Sequence, residues 1–439
     1  MKKVKYFLFY FILFYFINFN LLGQIPTGYY NGAENLTGDN LRTFLFNKIK
    51  THTQLSYGDL WTAFQQTDKK SDGRVWDMYS NCLFTFVSNQ CGNYNSECDC
   101  YNREHSFPDS WFHDAAPMHT DIFHMYPTDG WVNNKRGNLP FGEVGTATYT
   151  SGNGSRVGSA RNGLGYYGNV YEPLTEYKGD FARTYFYMLT CYKDKISGWN
   201  SDMLLGDNFS NWAKNMLIAW SINDAVSEKE INRNNIIYTN FQYNRNPFID
   251  CPEYARLIWD ESYQQPTITI NSPQNNFSTS SSSVEVNFHI NSVEQNLQIS
   301  YYLNNTLINC TSESSVTINN LISGNNTIKL IVASHDCNCP LVSQQIIVQK
   351  TGITSIEENK IEETKIYYNS DSDNIILSHP NKKIKDVFVL DITGKVILKE
   401  QVNNLETNIN AYKFENGIYI VSVHLESGEI FNEKIIIIK

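Results

Sequence analysis

The sequence changes character at residues 264–266, and this change constrains the fold more than any other feature. Before it, apolar residues recur at helical spacing, for example in residues 41–49 and 212–220. After it, short β-branched runs alternate with serine-rich and asparagine-rich segments, which is typical of strands and turns. Because 439 residues suffice for two or three domains, we expect a helix-rich α+β domain followed by all-β domains.

Two capping boxes predict helix starts in the first part of the chain. One pairs Ser227 with Glu230, and the other pairs Asp250 with Glu253. In such a box the first side chain binds a main-chain N–H group three residues on, and the second side chain reaches back. Pro252 strengthens the second box, because proline is favoured in the first helical turn.

The segment after residue 264 contains evenly spaced runs with strand character. They are residues 284–290, 298–303, 327–332 and 344–348. This spacing predicts a small β-sandwich of the immunoglobulin-like class over residues 264–350. We find no catalytic pattern in it, so we interpret it as a spacer, with carbohydrate or surface binding as the alternative.

Residues 102–138 combine the groups that phosphodiester hydrolysis needs. The reaction requires a base that deprotonates water, a hard cation and donors that bind phosphate oxygens. His105 is the candidate base, and Glu104 and Asn133 offer the oxygen ligands that a Mg²⁺-like ion accepts. Three nearby cations supply positive charge: Arg103, Lys135 and Arg136.

The adjacency of Glu104 and His105 sets a geometric condition on this site. Neighbouring residues on a regular strand point to opposite faces. Both side chains can serve one site only if the strand ends or distorts there, and Pro108 favours such an end. We expect short strands beside His105 and at residues 74–79.

Eight sequence blocks then follow one another in a fixed order. They are residues 103–108, 110–112, 121–127, 132–138, 178–183, 187–188, 230–235 and 244–250. Through these blocks the chain resembles the endonuclease I family over roughly residues 41–260. The resemblance implies a ββα-metal, or His-Me finger, nuclease domain, in which two short strands and a helix cradle one metal ion.

The resemblance also implies roles for individual residues. His105 would be the general base of a nonspecific nuclease that acts on DNA, with RNA as the alternative substrate. Glu104 and Asn133 would hold Mg²⁺, with Mn²⁺ or Ca²⁺ as alternatives. A shift of one residue would make Asn134 the ligand instead, and either asparagine could simply form a turn.

The family uses an arginine to grip the scissile phosphate, and its position here is open. Arg136, Arg183 and Arg245 are candidates. We favour Arg183 as the catalytic arginine because its block begins a helix, where phosphate contacts are common. We expect Arg103, Lys135, Arg136 and Arg245 to bind nucleic acid, within a basic groove on an otherwise acidic protein.

Two further residues of the matched blocks have structural interpretations. His124 lies among apolar residues, where a buried, hydrogen-bonded histidine is the commoner role than catalysis. We interpret Asp121 as a structural or supporting carboxylate rather than a metal ligand. His113 and His119 lie near the site in sequence and receive no role.

The amino terminus has the pattern of a signal peptide. Residues 1–5 carry three lysines, residues 6–22 form an almost unbroken apolar and aromatic run, and Gly23 precedes polar sequence. We expect export with cleavage near Gly23 and no membrane span after processing. An uncleaved anchor is the alternative, since the run approaches spanning length.

Nine cysteines fit an exported protein without defining a disulfide framework. Six precede residue 264 and three follow it, so at least one stays unpaired if pairing remains within domains. Cys98 and Cys100, near His105 and His113, could also suggest zinc. The spacing lacks the two paired clusters of common zinc modules, which disfavours that interpretation.

The last part of the chain carries three further blocks. They are residues 386–398, 416–423 and 433–439. Through them residues 366–439 resemble the type A sorting domain of bacterial type IX secretion, a small β-sandwich, after a linker at residues 351–365. The Tyr-Pro-Asn-Pro segment that opens the family is replaced by residues 367–370 without proline, and an immunoglobulin-like adhesive module is the alternative.

Taken with a net charge of −10, these features predict a secreted or surface-bound, metal-dependent endonuclease. Overall acidity does not exclude a nucleic-acid enzyme, because the local potential over the cleft governs phosphate binding. We assign the nuclease domain to residues 24–263 and expect a monomer whose partners are DNA, or RNA, and the type IX machinery. The alternative from another class is an inactive surface adhesin on a nuclease-like scaffold.

Overall fold

The computed structural model describes residues 25–351 and 364–439. It divides into two compact units, Met1–Gly352 and Ile353–Lys439, which are described separately. The predicted signal peptide at residues 1–23 and most of the linker at residues 351–365 lie outside the described residues. The finer division at residues 263 and 264 stays a prediction.

Helices dominate residues 25–260 and pack around one aromatic-rich core. Phe181, Tyr185 and Tyr187 of the fourth helix are fully buried in that core. The helices are α1 Gly38–Ile49, α2 Asp59–Thr67, α3 Gly130–Arg136, α4 Lys178–Cys191, α5 Asn211–Asn223, α6 Glu228–Ile236, α7 Pro247–Asp250 and α8 Glu253–Trp259. A π-helical turn, Ile237–Phe241, follows α6. The helices predicted around residues 41–49 and 212–220 are confirmed as α1 and α5.

One capping box is confirmed and the other is wrong. Ser227 accepts a hydrogen bond from the main-chain N–H of Glu230, whose side chain returns to Ser227, at the start of α6. Asp250 caps nothing at α8, which begins after Pro252 without a side-chain cap. Its carboxylate is engaged elsewhere, because Tyr30 and Arg245 donate to it at 2.7 and 2.6 Å.

Two short strands and a helix form a continuous ββα segment. Strand β1 Tyr101–His105 pairs antiparallel with β2 Met125–Asp129, and His105 stands opposite Met125. Helix α3 follows β2 directly, and Asp129 caps it by accepting a hydrogen bond from Val132 at 3.0 Å. The segment brings the end of β1 beside the helix that carries Asn133.

Two small sheets complete the helix-rich part. The first has the order β3-β4-β5 and the second pairs β6 with β7. Their bounds are β3 Val144–Thr150, β4 Arg156–Ala160, β5 Asn169–Glu172, β6 Leu204–Leu205 and β7 Asn208–Phe209. The strand predicted at residues 74–79 is wrong, since only one bridge, Lys69 to Val75, forms there. Asp77 bends the chain by accepting a hydrogen bond from the N–H of Tyr79 at 2.7 Å.

Residues 267–350 form two sheets that share a core. Their orders are β13-β10-β8 and β12-β11-β14-β15-β9. The strands are β8 Thr267–Ser272, β9 Phe277–Thr279, β10 Val284–Asn291, β11 Gln298–Leu303, β12 Thr306–Thr311, β13 Ser315–Ile318, β14 Gly324–Ser334 and β15 Cys339–Lys350. Buried Val286 of one sheet and Leu330 of the other belong to the same hydrophobic cluster. All four predicted strand runs are confirmed, while the immunoglobulin-like class stays a prediction.

The second unit is also all-β. It has a three-stranded sheet, β16-β17-β20, and a four-stranded sheet, β19-β18-β21-β22. The strands are β16 Lys365–Asn369, β17 Asn374–Ser378, β18 Ile384–Leu390, β19 Val396–Asn404, β20 Glu406–Asn410, β21 Gly417–Leu425 and β22 Ile430–Ile437. Gly394 adopts a φ of 85° in the turn between β18 and β19. Side chains from both sheets, such as Leu377 and Val389, fill one core.

Eight of the nine cysteines form disulfides, and the pairing crosses residue 264. The pairs are Cys82–Cys98, Cys91–Cys100, Cys251–Cys339 and Cys310–Cys337. Cys191 is buried and free. Because Cys339 pairs with Cys251, the condition that pairing stays within domains is not met. The disulfides at Cys98 and Cys100 also exclude those two residues as zinc ligands.

Across residues 25–351 and 364–439, none of the helices combines the length and the apolar character that a membrane crossing requires.

Candidate active site

The end of strand β1 resolves the geometric condition on Glu104 and His105. Regular pairing stops at His105, and the next residue, Ser106, donates its main-chain N–H to the carbonyl oxygen of His124 at 3.0 Å. Both side chains are largely buried, with 3% of Glu104 and 9% of His105 exposed. Because the strand ends there, the two neighbours line the same cavity.

This cavity has a volume of about 210 Å³ and a polar lining. Four of the predicted site residues line it: Arg103, Glu104, His105 and Asn133. The other lining residues are Tyr94, Pro108, Asp109, Asn134, Gly137 and Asn138. The fold thus brings a base, a carboxylate, an amide oxygen and a guanidinium group to one small concave site.

His105 is held so that one ring nitrogen remains available. Its Nε2 lies 2.9 Å from the main-chain oxygen of His119. A carbonyl oxygen only accepts hydrogen bonds, so Nε2 carries the proton and Nδ1 keeps its lone pair. Burial, followed by the positive charge of nearby His124, lowers the pKa of His105 to about 3. The ring is therefore neutral at neutral pH, which is the form that a general base requires.

Glu104 is fixed by two partners. The hydroxyl of Tyr79 donates to its Oε1 at 2.9 Å, and Nη1 of Arg136 contacts the same oxygen. Burial raises the pKa of this carboxyl, whereas the charge of Arg136 opposes the rise. Arg136 also donates to the main-chain oxygens of His105 and Ser106 at 2.9 and 2.7 Å, so it joins the carboxylate to the end of β1.

Asn133 is oriented by its amide nitrogen. Its Nδ2 donates to Oδ1 of Asn102 on β1 at 2.9 Å. The amide oxygen is then the atom of Asn133 that can serve as a ligand. Asn134 lines the same cavity, so the choice between the two asparagines stays open.

Asp77, which does not line the cavity, connects the segment of Tyr79 with the start of α3. Its carboxylate accepts hydrogen bonds from the N–H of Tyr79 and the N–H of Asp129, at 2.7 and 3.1 Å. Tyr79 holds Glu104, and Asp129 caps the helix of Asn133. Burial raises the pKa of Asp77 to about 7. Asp77 thus links the two segments that hold the candidate ligands Glu104 and Asn133.

Three of the predicted cations lie in interior ion pairs. Arg136 binds Glu104, Arg183 binds Glu230 at 2.5 Å, and Arg245 binds Asp250 at 2.6 Å. Each side chain is only 1% exposed, and none lines the cavity. Their guanidinium groups are engaged with carboxylates, so we do not retain Arg183, Arg136 or Arg245 as phosphate contacts. These three arginines therefore do not contribute to the expected basic groove.

The remaining predicted cations are nearer the surface. Arg103 lies over the ring of Tyr57 at 3.5 Å and donates to its main-chain oxygen at 2.6 Å, while lining the cavity. Lys135 lies 4.4 Å from the ring of Trp131 and does not line the cavity. Arg103 is therefore the predicted cation whose position fits a substrate contact best.

Asp121 and His124 have the surroundings of structural residues. Asp121 is buried, and its Oδ2 accepts hydrogen bonds from the hydroxyls of Tyr187 and Tyr192 at 2.8 and 2.6 Å. His124 is fully buried and its Nε2 lies 2.7 Å from the main-chain oxygen of Met118. Burial lowers the pKa of His124.

Sequence reasoning missed two residues that surround the base. Asp109 places Oδ2 at 3.6 Å from Nδ1 of His105, and the ring of His119 stacks on that of His105 at 4.9 Å. Asp109 follows His105 by four residues, which was an available signal. For His119 the sequence offered no signal of a role, because it lies 14 residues after His105 and only the fold brings the two side chains into contact.

Comparison with known proteins places these residues within a described family. A model of the endonuclease I family matches residues 37–253, which include all residues of the cavity lining. A second model, Domain of unknown function (DUF8694), matches residues 354–437.

The curated relatives include two from bacilli. The extracellular ribonuclease of Bacillus subtilis (strain 168) is 36% identical over 242 residues, covering 53% of this chain and 78% of the relative. The extracellular ribonuclease of Bacillus amyloliquefaciens is 36% identical over 239 residues with the same coverage. Among solved structures, fibronectin(III)-like modules of Clostridium thermocellum CbhA match 20% of this chain and 98% of their own, at 10% identity and a TM-score of 0.18.

Proposed function

Because this chain belongs to the endonuclease I family, we propose that it is a secreted, metal-dependent endonuclease that hydrolyses phosphodiester bonds of extracellular nucleic acid. The observation that carries the proposal is the cavity at the end of β1. It collects Glu104, His105 and Asn133 from a strand and a helix that are distant in sequence but joined as one ββα segment.

His105 is the general base of the proposed reaction. Its Nε2–H is held by the carbonyl of His119, so Nδ1 is the nitrogen that removes a proton from water. The hydroxide so formed attacks the phosphorus atom as the bond to the leaving oxygen breaks. The leaving oxygen takes a proton from solvent water, and protonated His105 returns its proton to solvent. A positioned base of this kind contributes roughly 10²–10⁴-fold to the rate.

Glu104 and Asn133 are the proposed metal ligands. The contacts from Tyr79 and Arg136 both use Oε1 of Glu104, so Oε2 is the oxygen that we propose as the ligand. A carboxylate and an amide oxygen form a hard donor set that suits Mg²⁺, and Mn²⁺ or Ca²⁺ as alternatives. When bound, such an ion would stabilise the negative charge that develops on the phosphate.

Arg103 is the proposed substrate contact of the chain itself. Its guanidinium group is the predicted cation that lines the cavity, and its stacking on Tyr57 fixes its plane. Planar guanidinium groups bind phosphate oxygens in pairs. Contacts to phosphate carry no sequence information, so we expect little sequence preference.

Both DNA and RNA are proposed substrates. Attack by water does not need the 2′-hydroxyl of RNA, so the proposed mechanism applies equally to DNA. RNA is supported by the two relatives, which are described as extracellular ribonucleases. An inactive adhesin is disfavoured because all three central residues are present and share one cavity.

Export by type IX secretion and a monomeric state are further parts of the proposal. The resemblance of residues 366–439 to a sorting domain supports the route, and the all-β unit from Ile353 onwards is compatible with it. Deletion of residues 366–439 in a bacterium with type IX secretion should retain the protein inside the cell envelope. Light scattering after gel filtration measures the molar mass and should give that of a monomer.

The decisive experiment is nicking of supercoiled plasmid by the purified protein, with Mg²⁺ and with EDTA. We expect metal-dependent nicking that His105→Ala lacks. His113→Ala is the matched control, because His113 is exposed and outside the cavity lining. Absence of cleavage of both plasmid and RNA by the unaltered protein under Mg²⁺, Mn²⁺ or Ca²⁺ would refute the proposed function.

A further inference from the structure

A second group of potential metal ligands lies next to Nδ1 of His105, the ring nitrogen that the carbonyl of His119 does not contact. Oδ2 of Asp109 is 3.6 Å from Nδ1 of His105 and 3.9 Å from Nδ1 of His119. One donor atom from each of the three residues lies within 4.8 Å of the others. None of these three atoms belongs to Glu104 or Asn133, the pair to which we assign the hard cation.

The separations agree with the ligand shell of a small tetrahedral ion. Zn²⁺ binds imidazole nitrogen and carboxylate oxygen at about 2.0–2.1 Å, which places neighbouring tetrahedral ligands about 3.3 Å apart. The nitrogen–oxygen distances of 3.6 and 3.9 Å exceed this value by a few tenths of an ångström. Small side-chain rotations would close the difference.

The two histidines are oriented for shared ligation. Their rings stack with centroids 4.9 Å apart and planes 29° apart, and both present Nδ1 to the same oxygen. Tyr57 stacks on the other side of His119 at 4.8 Å and fixes that ring. Within the described residues, Nδ1 of His119 is buried and lacks a hydrogen-bond partner.

The remaining nitrogen of His105 has the partner that metal-bound histidines commonly have. A ligating imidazole usually donates its other N–H to a carbonyl or carboxylate, which fixes the ring and its tautomer. Nε2 of His105 has this contact to the carbonyl of His119 at 2.9 Å. Asp109 and His119 are each about one-third exposed, so an ion can enter from solvent.

We propose that His105, Asp109 and His119 form a binding site for a borderline transition-metal ion such as Zn²⁺, with water as the fourth ligand. Two imidazoles and one carboxylate suit Zn²⁺, whereas oxygen ligands suit Mg²⁺. The two sites therefore differ in chemistry as well as in residues.

Occupation of this site would inhibit the enzyme. An ion bound to Nδ1 of His105 removes the lone pair that accepts the proton from water. This consequence rests on the proposed function, whereas metal binding itself does not. Trace Zn²⁺ in the surroundings would thus act as a reversible inhibitor even when Mg²⁺ is abundant.

Binding is tested with Co²⁺, which reports its ligands through its visible spectrum. The purified protein, without a polyhistidine tag, is stripped with chelator and titrated with Co²⁺ in excess Mg²⁺. We expect absorption of four-coordinate Co²⁺ that excess Zn²⁺ abolishes. Removal of one ligand in His119→Asn or Asp109→Asn should weaken Co²⁺ binding by more than about tenfold.

His113→Asn is the matched control and should bind Co²⁺ as the unaltered protein does, because His113 contacts only the carbonyl of Gly198, at 3.2 Å, outside the group. Unchanged Co²⁺ affinity in His119→Asn would overturn the proposal. An intense near-ultraviolet band from a thiolate would also overturn it, since it would locate the ion at buried Cys191 beside His52.

Activity supplies an independent second measurement. Zn²⁺ should inhibit nicking at saturating Mg²⁺, and Asp109→Asn should shift the inhibitory midpoint upward by about tenfold or more. If Co²⁺ binds as expected but the unaltered protein cleaves nothing, the metal site stands and the nuclease function fails. If cleavage occurs but Zn²⁺ inhibits the variants and the unaltered protein equally, the proposed inhibition through this site is refuted, while the Co²⁺ titration decides on binding.

Discussion

Nε2 of His105 lies 2.9 Å from the main-chain oxygen of His119, and this contact leaves Nδ1 as the reactive nitrogen of the proposed base. The partner is a backbone carbonyl that can only accept, so the proton cannot move to Nδ1 without loss of the bond. The backbone, rather than a second carboxylate, therefore selects the tautomer.

Cleavage activity should persist at pH values below the pKa of an ordinary histidine. Burial and the charge of His124 lower the pKa of His105 to about 3. The base should therefore stay neutral well below pH 6.5, and kcat/KM at saturating Mg²⁺ should show no acid limb near 6.5. An acid limb at that pH which His113→Gln keeps would contradict the assigned environment.

The same lowered pKa affects stability with a defined sign. An unfolded histidine binds a proton near pH 6.5, whereas folded His105 resists protonation until about pH 3. The contribution of His105 to the free energy of unfolding is therefore complete above pH 6.5 and is lost as pH falls from 6.5 towards 3. Thermal unfolding should show that Tm falls less between pH 6.5 and low pH in His105→Gln than in the unaltered protein.

Metal titration should separate Asn133 from Asn134. If the amide oxygen of Asn133 is the ligand, Asn133→Ala should raise the Mg²⁺ concentration for half-maximal cleavage by about tenfold or more. Asn134→Ala, on the same cavity, is the matched control and should change it little. The reverse result would move the ligand by one residue along α3.

Arg103 should affect substrate binding rather than the base. Arg103→Ala should weaken binding of DNA of any sequence and reduce the slope of log affinity against log salt by about 1, as expected for one lost phosphate contact. Lys135→Ala, which does not line the cavity, serves as the comparison. An unchanged salt slope in Arg103→Ala would remove this residue from the phosphate contacts.

Arg183 should affect folding rather than cleavage. Its removal leaves Glu230 unpaired in the interior, and breaking a buried pair costs about 3–5 kcal/mol. Denaturant unfolding of Arg183→Met should show a loss of this size, with cleavage per folded molecule preserved at low temperature. A large fall in kcat with unchanged stability would restore the catalytic role expected from the sequence.

The disulfide Cys251–Cys339 should stabilise the first unit as a whole. It joins residues 88 positions apart, and such a cross-link constrains the unfolded chain. Replacement of both cysteines by serine should lower the free energy of unfolding by about 2–5 kcal/mol. The matched replacement of Cys310 and Cys337, which close a loop of 27 positions, should cost less.

Local patterns predicted much of this structure. Periodicity identified α1, α5 and the β-branched strands, because these elements bury one face and leave the other in solvent. The neighbours Glu104 and His105 were predicted to share a site if the strand ended, and β1 does end at His105.

Two expectations change because the side chains have partners that are distant in sequence, whereas the strand expected at residues 74–79 gives way to a local bend at Asp77. Asp250 was expected to cap a helix, but Tyr30, 220 residues away, binds it. Arg183 was expected at the substrate, yet Glu230, 47 residues on, holds it in the interior. Sequence spacing shows which groups a segment offers, whereas tertiary packing decides which partner each group meets.

The interior arginines have a consequence for where such a protein can work. Arg136, Arg183, Arg233 and Arg245 are all buried beside carboxylates, so their charge does not reach the surface of a chain with a net charge of −10. The net negative charge that remains opposes the approach of a polyanion at long range, and dissolved ions screen this repulsion. Dissolved salt should therefore influence how fast nucleic acid reaches the protein, while the local charge around the cavity governs phosphate binding there.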